Sequence, residues 1–149
     1  MHVEHLRVPI GSGALHAERL GRGGPPVVLV HGFGTCAFLW RRLAPSLAMA
    51  GYCTIAVYLL GYGESDRPED ARYGLASQAE SLARVLAALR LPPCTIIGQD
   101  VGGLVGLLLA TSPRSNVERL VLISPPDPDD LPGPDIRALQ RTSARIALN

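Results

Sequence analysis

A chain of 149 residues that is 47% apolar and 18% charged carries enough hydrophobic material for one ordinary domain and is unsuited to disorder. Its 14 basic and 13 acidic residues nearly cancel and form no block of like charge, which excludes a nucleic-acid or anionic-membrane role on electrostatic grounds. Cys36, Cys53 and Cys94 are odd in number, lie in apolar surroundings and lack C-x-x-C spacing, so buried free thiols in a reducing compartment are expected, without a zinc site or disulfide frame.

The start, Met1-His2-Val3-Glu4-His5, has neither the basic opening nor the apolar core of a signal peptide, and no apolar run approaches transmembrane length. A cytoplasmic location is the expectation. Val3 to Val8 and Ala14 to Leu20 are short, partly alternating runs joined by Gly11-Ser12-Gly13, which predicts an antiparallel hairpin. His2, His5 and His16 lie in it. They lack helical i, i+4 spacing and any acidic or thiol partner in sequence, so they read as exposed strand positions and no metal site is expected.

Val27-Val28-Leu29-Val30 is apolar on both faces and β-branched, the pattern of a buried central strand of a parallel sheet. It runs into His31-Gly32-Phe33-Gly34, a glycine-bearing loop at a strand's carboxyl end, where open α/β sheets bind ligands. Ala37 to Met49 reads as a helix with Phe38, Leu39, Leu43 and Leu47 inward, bent or divided by Pro45, and Phe38 and Trp40 read as helix core. Thr54 to Tyr58 is the next strand. Leu59 to Pro68 is too rich in glycine to be a regular element, and Gly61, Gly63, Ser65 and Asp66 read as loop geometry.

From Leu75 to Leu89, Leu82, Val85, Leu86 and Leu89 recur at helical spacing, predicting an amphipathic crossover helix ended by Pro92-Pro93. Cys94 to Ile97 is a strand, Gly103 to Ala110 a helix apolar nearly all round and therefore buried, and Leu120 to Ile123 a further core strand. Pro125 to Pro134 is stiff and acidic, and Asp135 to Asn149 begins with a helix N-terminal signal. Strands alternating with helices imply a doubly wound, mostly parallel α/β sheet.

Between the fifth strand and the buried helix stands Gly98-Gln99-Asp100-Val101-Gly102-Gly103. The spacing is that of a nucleophile elbow, a sharp strand-to-helix turn that lifts its central side chain clear of the backbone. Strand and helix nearly touch there, so the residues two before and two after must be tiny, and Gly98 and Gly102 meet that demand. The central residue is an aspartate. A serine in this place needs a base before it attacks, whereas a carboxylate is already ionised at neutral pH and attacks a saturated carbon directly. The alternatives are a helix-capping Asp100 and a receiver-type phosphorylatable aspartate, but the early acidic pair and late lysine that a receiver needs are missing.

His31-Gly32-Phe33-Gly34, Leu39-Trp40-Arg41, Gly61-Tyr62-Gly63-Glu64-Ser65-Asp66 and the elbow follow one another in the order and spacing of the α/β-hydrolase fold family. With aspartate at the elbow, the chain resembles the branch of epoxide hydrolases and haloalkane or haloacetate dehalogenases. The resemblance covers the N-terminal portion of that fold, strands one to six. It implies that residues 1–126 form this part of the core and that 127–149 are a connection and the start of a cap or following helix. It implies Asp100 as nucleophile, an oxyanion hole from the backbone N–H groups of Phe33 and Val101, and Asp127 as the acid that orients a histidine. His31, Gly32, Gly34, Gly98, Gln99, Gly102 and Gly103 shape the loop and the elbow. Haloalkane dehalogenases carry asparagine and tryptophan where this chain has Phe33 and Val101, which favours epoxides over organohalides. Tyr58 and Leu60 also depart from the family pattern.

All four histidines precede Asp100, and none is a plausible base for the second step. The implied protein is a hydrolase of small apolar electrophiles and a piece of a longer enzyme, with a non-catalytic binding module of the same fold as the alternative. No cofactor is expected, since no G-x-G-x-x-G or Walker sequence follows a strand. The partner is a small-molecule substrate, and an exposed sheet edge predicts self-association.

Overall fold

The computed structural model describes residues 2–113, 115–131, 133 and 137. Its strands are β1 (Glu4–Pro9), β2 (Ala14–Leu20), β3 (Pro26–Val30), β4 (Cys53–Val57), β5 (Cys94–Gln99) and β6 (Val117–Ile123). They form one sheet in the order β1-β2-β4-β3-β5-β6. Strands β4, β3, β5 and β6 run parallel, while the β1/β2 hairpin joins antiparallel through β2 and β4. The sheet is the mostly parallel, doubly wound one that the alternation of strands and helices predicts.

Period-two alternation sends each strand's side chains to two different layers. Val28, Val30, Ile55, Val57 and Ile96 pack with Leu82, Val85 and Val105 from helices α2 (Leu75–Ala88) and α3 (Val101–Ala110). On the other face Val27, Leu29 and Ala56 meet Trp40 and Ala44. β3 is buried at every position because both layers cover it. Each such aliphatic side chain contributes about 1.5–3 kcal/mol relative to exposure, which makes the carboxyl ends of β3 and β5 a rigid platform.

Several elements depart from the sequence expectation. The helix expected over 37–49, with Pro45 bending or dividing it, is divided, into a 3₁₀ turn, Ala37–Trp40, and α1, Leu43–Met49. Pro45 cannot donate to a carbonyl four residues earlier, and restarting the helix at Leu43 puts it in a first turn, where no such bond is made. Trp40 and Ala44 are buried as a result, but Phe38 points out, 62% exposed, with the Arg41 guanidinium 4.4 Å above its ring. Helix α3 is not buried all round: Leu107 and Leu108 are exposed. Among the described residues β6, expected as a core strand, lies at the sheet edge, with Val121, Leu122 and Ile123 each about two-fifths exposed.

Cys36, Cys53 and Cys94 are free, with Cys94 buried and the other two half-buried. Burial raises the thiols of Cys53 and Cys94 above the ordinary range. Past β6, Asp127 opens a short 3₁₀ turn, Pro128–Asp130. Beyond Leu131 only Gly133 and Arg137 are described, so the helix expected from Asp135 and most of the 127–149 connection lie outside the described residues. No helix among the described residues is long and apolar enough to cross a membrane.

Candidate active site

The carboxyl ends of β3 and β5 are neighbours in the sheet, with Val30 beside Gly98. That adjacency brings the His31-Gly32-Phe33-Gly34 loop over the elbow. Asp100 has φ +53° and ψ −129°, a conformation that L residues rarely adopt, and it stands as the cap residue of α3. Its backbone N–H donates to the Ile123 carbonyl at 3.0 Å, and its own carbonyl accepts from Gly103 N–H at 2.9 Å. The turn is held from both sides.

The glycines are required by contact. A Cβ on Gly98 would lie 2.4 Å from the Gly102 carbonyl oxygen, and one on Gly102 would lie 2.3 Å from the His31 carbonyl oxygen. A Cβ on Gly32 would fall 2.6 Å from Asp100 Cβ and Oδ2 and from Gln99 Oε1. Gln99 Oε1 is buried in this crowd and accepts from no described residue. Gly103 has more room, with Leu122 Cδ2 at 3.2 Å from its notional Cβ, and Gly34 (φ +68°) turns the loop.

The Phe33 backbone N–H donates to Asp100 Oδ2 at 2.8 Å. Val101 is the first residue of α3, next to the carboxylate. Phe33 is half exposed and Asp100 itself is partly buried.

His31 is fully buried and both ring nitrogens are engaged. Nε2 accepts from Leu59 N–H at 3.1 Å, which makes Nδ1 the protonated nitrogen, 2.9 Å from the Gly32 carbonyl. Burial holds its pKa below the usual histidine range, only partly opposed by the bond to Gly32. His31 therefore pins the end of β3 to the chain after β4 and has no lone pair for base catalysis.

Asp127 is exposed and its Oδ1 accepts from Asp129 N–H at 3.0 Å, the role of a turn former. Tyr62, which sequence reading counted only as part of a loop motif, stacks edge-on against His31 with ring centroids 5.0 Å apart. Burial first, and then the negative charge of Asp100, raise its hydroxyl pKa. Its place between Gly61 and Gly63 was the signal: both glycines have positive φ, so the loop curls and presents this one ring inward.

Residues 25–144 match the family described as alpha/beta hydrolase fold. The chain belongs to that family. It is 39% identical over 100 residues to a haloalkane dehalogenase of Mycobacterium marinum, covering 66% of this chain and 34% of that protein. To the bifunctional epoxide hydrolase 2 of Mus musculus it is 32% identical over 143 residues, covering 92% of this chain and 26% of that protein. Among solved structures, the epoxide hydrolase VrEH1 of Vigna radiata superposes with a TM-score of 0.78 at 27% identity, over 92% of this chain and 46% of the other. The haloalkane dehalogenase DatA of Agrobacterium tumefaciens gives 0.75 at 31% identity, over 83% and 41%. The chain spans roughly a quarter to a half of the length of each of these four relatives.

Proposed function

We propose that Asp100 is the nucleophile of a hydrolase that opens a small apolar electrophile, an epoxide ahead of an organohalide. The observation that carries the reading is the Asp100 carboxylate on a strained strand-to-helix turn, with the Phe33 N–H on its Oδ2 at 2.8 Å. That bond fixes one oxygen and leaves Oδ1 to attack. Oδ1 forms a bond to the epoxide carbon, the ring C–O bond breaks, and the ring oxygen keeps the electron pair and takes a proton from solvent. Water then adds to the ester carbonyl carbon, the bond from that carbon to the substrate-bound oxygen breaks, and the diol leaves with one proton of the water while the other returns to solvent. The Phe33 N–H, with that of Val101, would receive the oxyanion before the carboxylate is regenerated. Relatives named as epoxide hydrolases and haloalkane dehalogenases support the substrate class. Phe33 and Val101 carry no side-chain donor for a leaving halide, which favours the epoxide. Free cysteines support a reducing, cytoplasmic setting.

A second reading is a binding module that keeps the fold. It is favoured by the engagement of both His31 nitrogens, which leaves that buried histidine without a free lone pair beside Asp100. Incubation with styrene oxide and with a reactive alkyl bromide, followed by intact-mass measurement, separates the two. The hydrolase reading expects a rapid covalent adduct that is lost in Asp100→Asn. An unmodified wild-type mass with both reagents would sink it.

A further inference from the structure

The β1/β2 hairpin carries a cluster that the sequence led us to read as exposed histidines without an acidic partner. His16 is in fact buried, and the partner is present. In the antiparallel register His5 stands directly opposite Glu18, and His16, two residues before Glu18, projects on the same face. His5 Nδ1 and His16 Nε2 approach to 3.2 Å, and a ring nitrogen of each histidine and a Glu18 carboxylate oxygen lie within 4.8 Å of one another. Glu64 Oε2, from the loop after β4, is 3.5 Å from the same His16 Nε2.

We propose that His5, His16 and Glu18, completed by Glu64, form a site for a divalent first-row transition cation, zinc above all. Two imidazole nitrogens bound to one zinc at about 2.0–2.1 Å in tetrahedral geometry sit roughly 3.3 Å apart, close to the separation observed here. Two nitrogens and two carboxylates suit zinc better than calcium or magnesium, which prefer all-oxygen shells, and two carboxylate charges balance a dication. The surroundings orient the ligands as metal sites require. The Tyr58 hydroxyl donates to Glu18 Oε1 at 2.8 Å, and its ring stacks edge-on against His16. Backbone N–H of His16 donates to Ser65 Oγ at 2.9 Å, fixing that strand position to the loop that bears Glu64. Tyr58 is the residue that departs from the family pattern at the end of β4. The cation would staple the hairpin to the loop holding Tyr62 against His31.

The test uses the untagged 149-residue chain, stripped with chelator and dialysed against zinc. Elemental analysis is expected to find one zinc per chain, with affinity reduced about tenfold or more in His5→Ala and in Glu18→Gln. His2→Ala, on the preceding residues, is expected to bind as the wild type does. His5 is exposed, so His5→Ala keeps its zinc-free thermal midpoint and reports on the ligand alone. Cobalt(II) as a second probe is expected to give tetrahedral ligand-field bands without thiolate charge transfer. Absence of bound zinc, wild-type retention by either variant, or a thiolate band that moves the metal to the cysteines would each overturn the proposal.

Discussion

Asp100 is held in a conformation that only its neighbours make tolerable. Because notional Cβ atoms on Gly98 and Gly102 fall 2.4 and 2.3 Å from carbonyl oxygens, Gly102→Ala is expected to lower stability by about 1–3 kcal/mol in denaturant titration, through forced backbone movement. A variant as stable as the wild type would mean that the elbow is looser than its contacts imply. His31 gives a second test at this scale. The folded chain resists protonating it, while the unfolded chain takes up a proton at the ordinary value of about 6.5. Between the depressed folded value and that figure the unfolded state binds more protons, so stability rises with pH. The thermal midpoint should drop as pH falls below the ordinary histidine range, and His31→Gln should flatten that part of the profile. Asp100 and its glycines were legible in sequence because their spacing follows from a steric rule. The engagement of both His31 nitrogens was not, since Leu59 is distant in sequence and meets it only through the pairing of β3 with β4.

Among the elements, the 59–68 loop is tied down more firmly than its glycine and proline content implies. Ser65 Oγ donates to the Tyr58 carbonyl at 2.7 Å, and Asp66 Oδ2 accepts from Ala14 N–H at 2.8 Å while its Oδ1 meets Arg7 at 2.6 Å. Gln78, buried on α2, grips Leu60 with both ends of its amide, at 3.0 and 2.8 Å. Sequence periodicity correctly placed α2 but could not identify Gln78, because a polar residue on an apolar face carries no signal of its partner. The Arg7 guanidinium, and then the Ala14 N–H, hold Asp66 below the usual carboxylate range. The stability this contributes is present above the ordinary aspartate pKa and is lost as pH falls through the depressed folded value. Thermal midpoints of wild type and Asp66→Asn should therefore differ at neutral pH and converge in acid. Parallel curves would show that the pair contributes nothing. The division of the 37–49 helix was legible, because the missing N–H of Pro45 is a local rule that limits where a helix can begin, but the outward turn of Phe38 was not.

At the scale of the whole molecule, the outer face of α3 and β6 exposes Leu107, Leu108, Val121, Leu122 and Ile123 together. Their apolar character read as burial in the sequence, because hydropathy reports what a side chain prefers and not what is packed against it. An apolar face beside an open strand edge favours association. The 149-residue polypeptide is expected to sediment as concentration-dependent oligomers, with Val121→Lys shifting it toward monomer, and a clean wild-type monomer would contradict this. The central claim is that Asp100 bonds to substrate carbon. It is tested most directly by a single turnover of an epoxide in ¹⁸O-water with protein in excess, long enough for the ester to hydrolyse. If Asp100 attacks, the first diol carries unlabelled oxygen from the carboxylate, and the label enters the Asp100 side chain. Label in the first diol and none in Asp100 would mean that water attacks the substrate directly, and the account would be wrong.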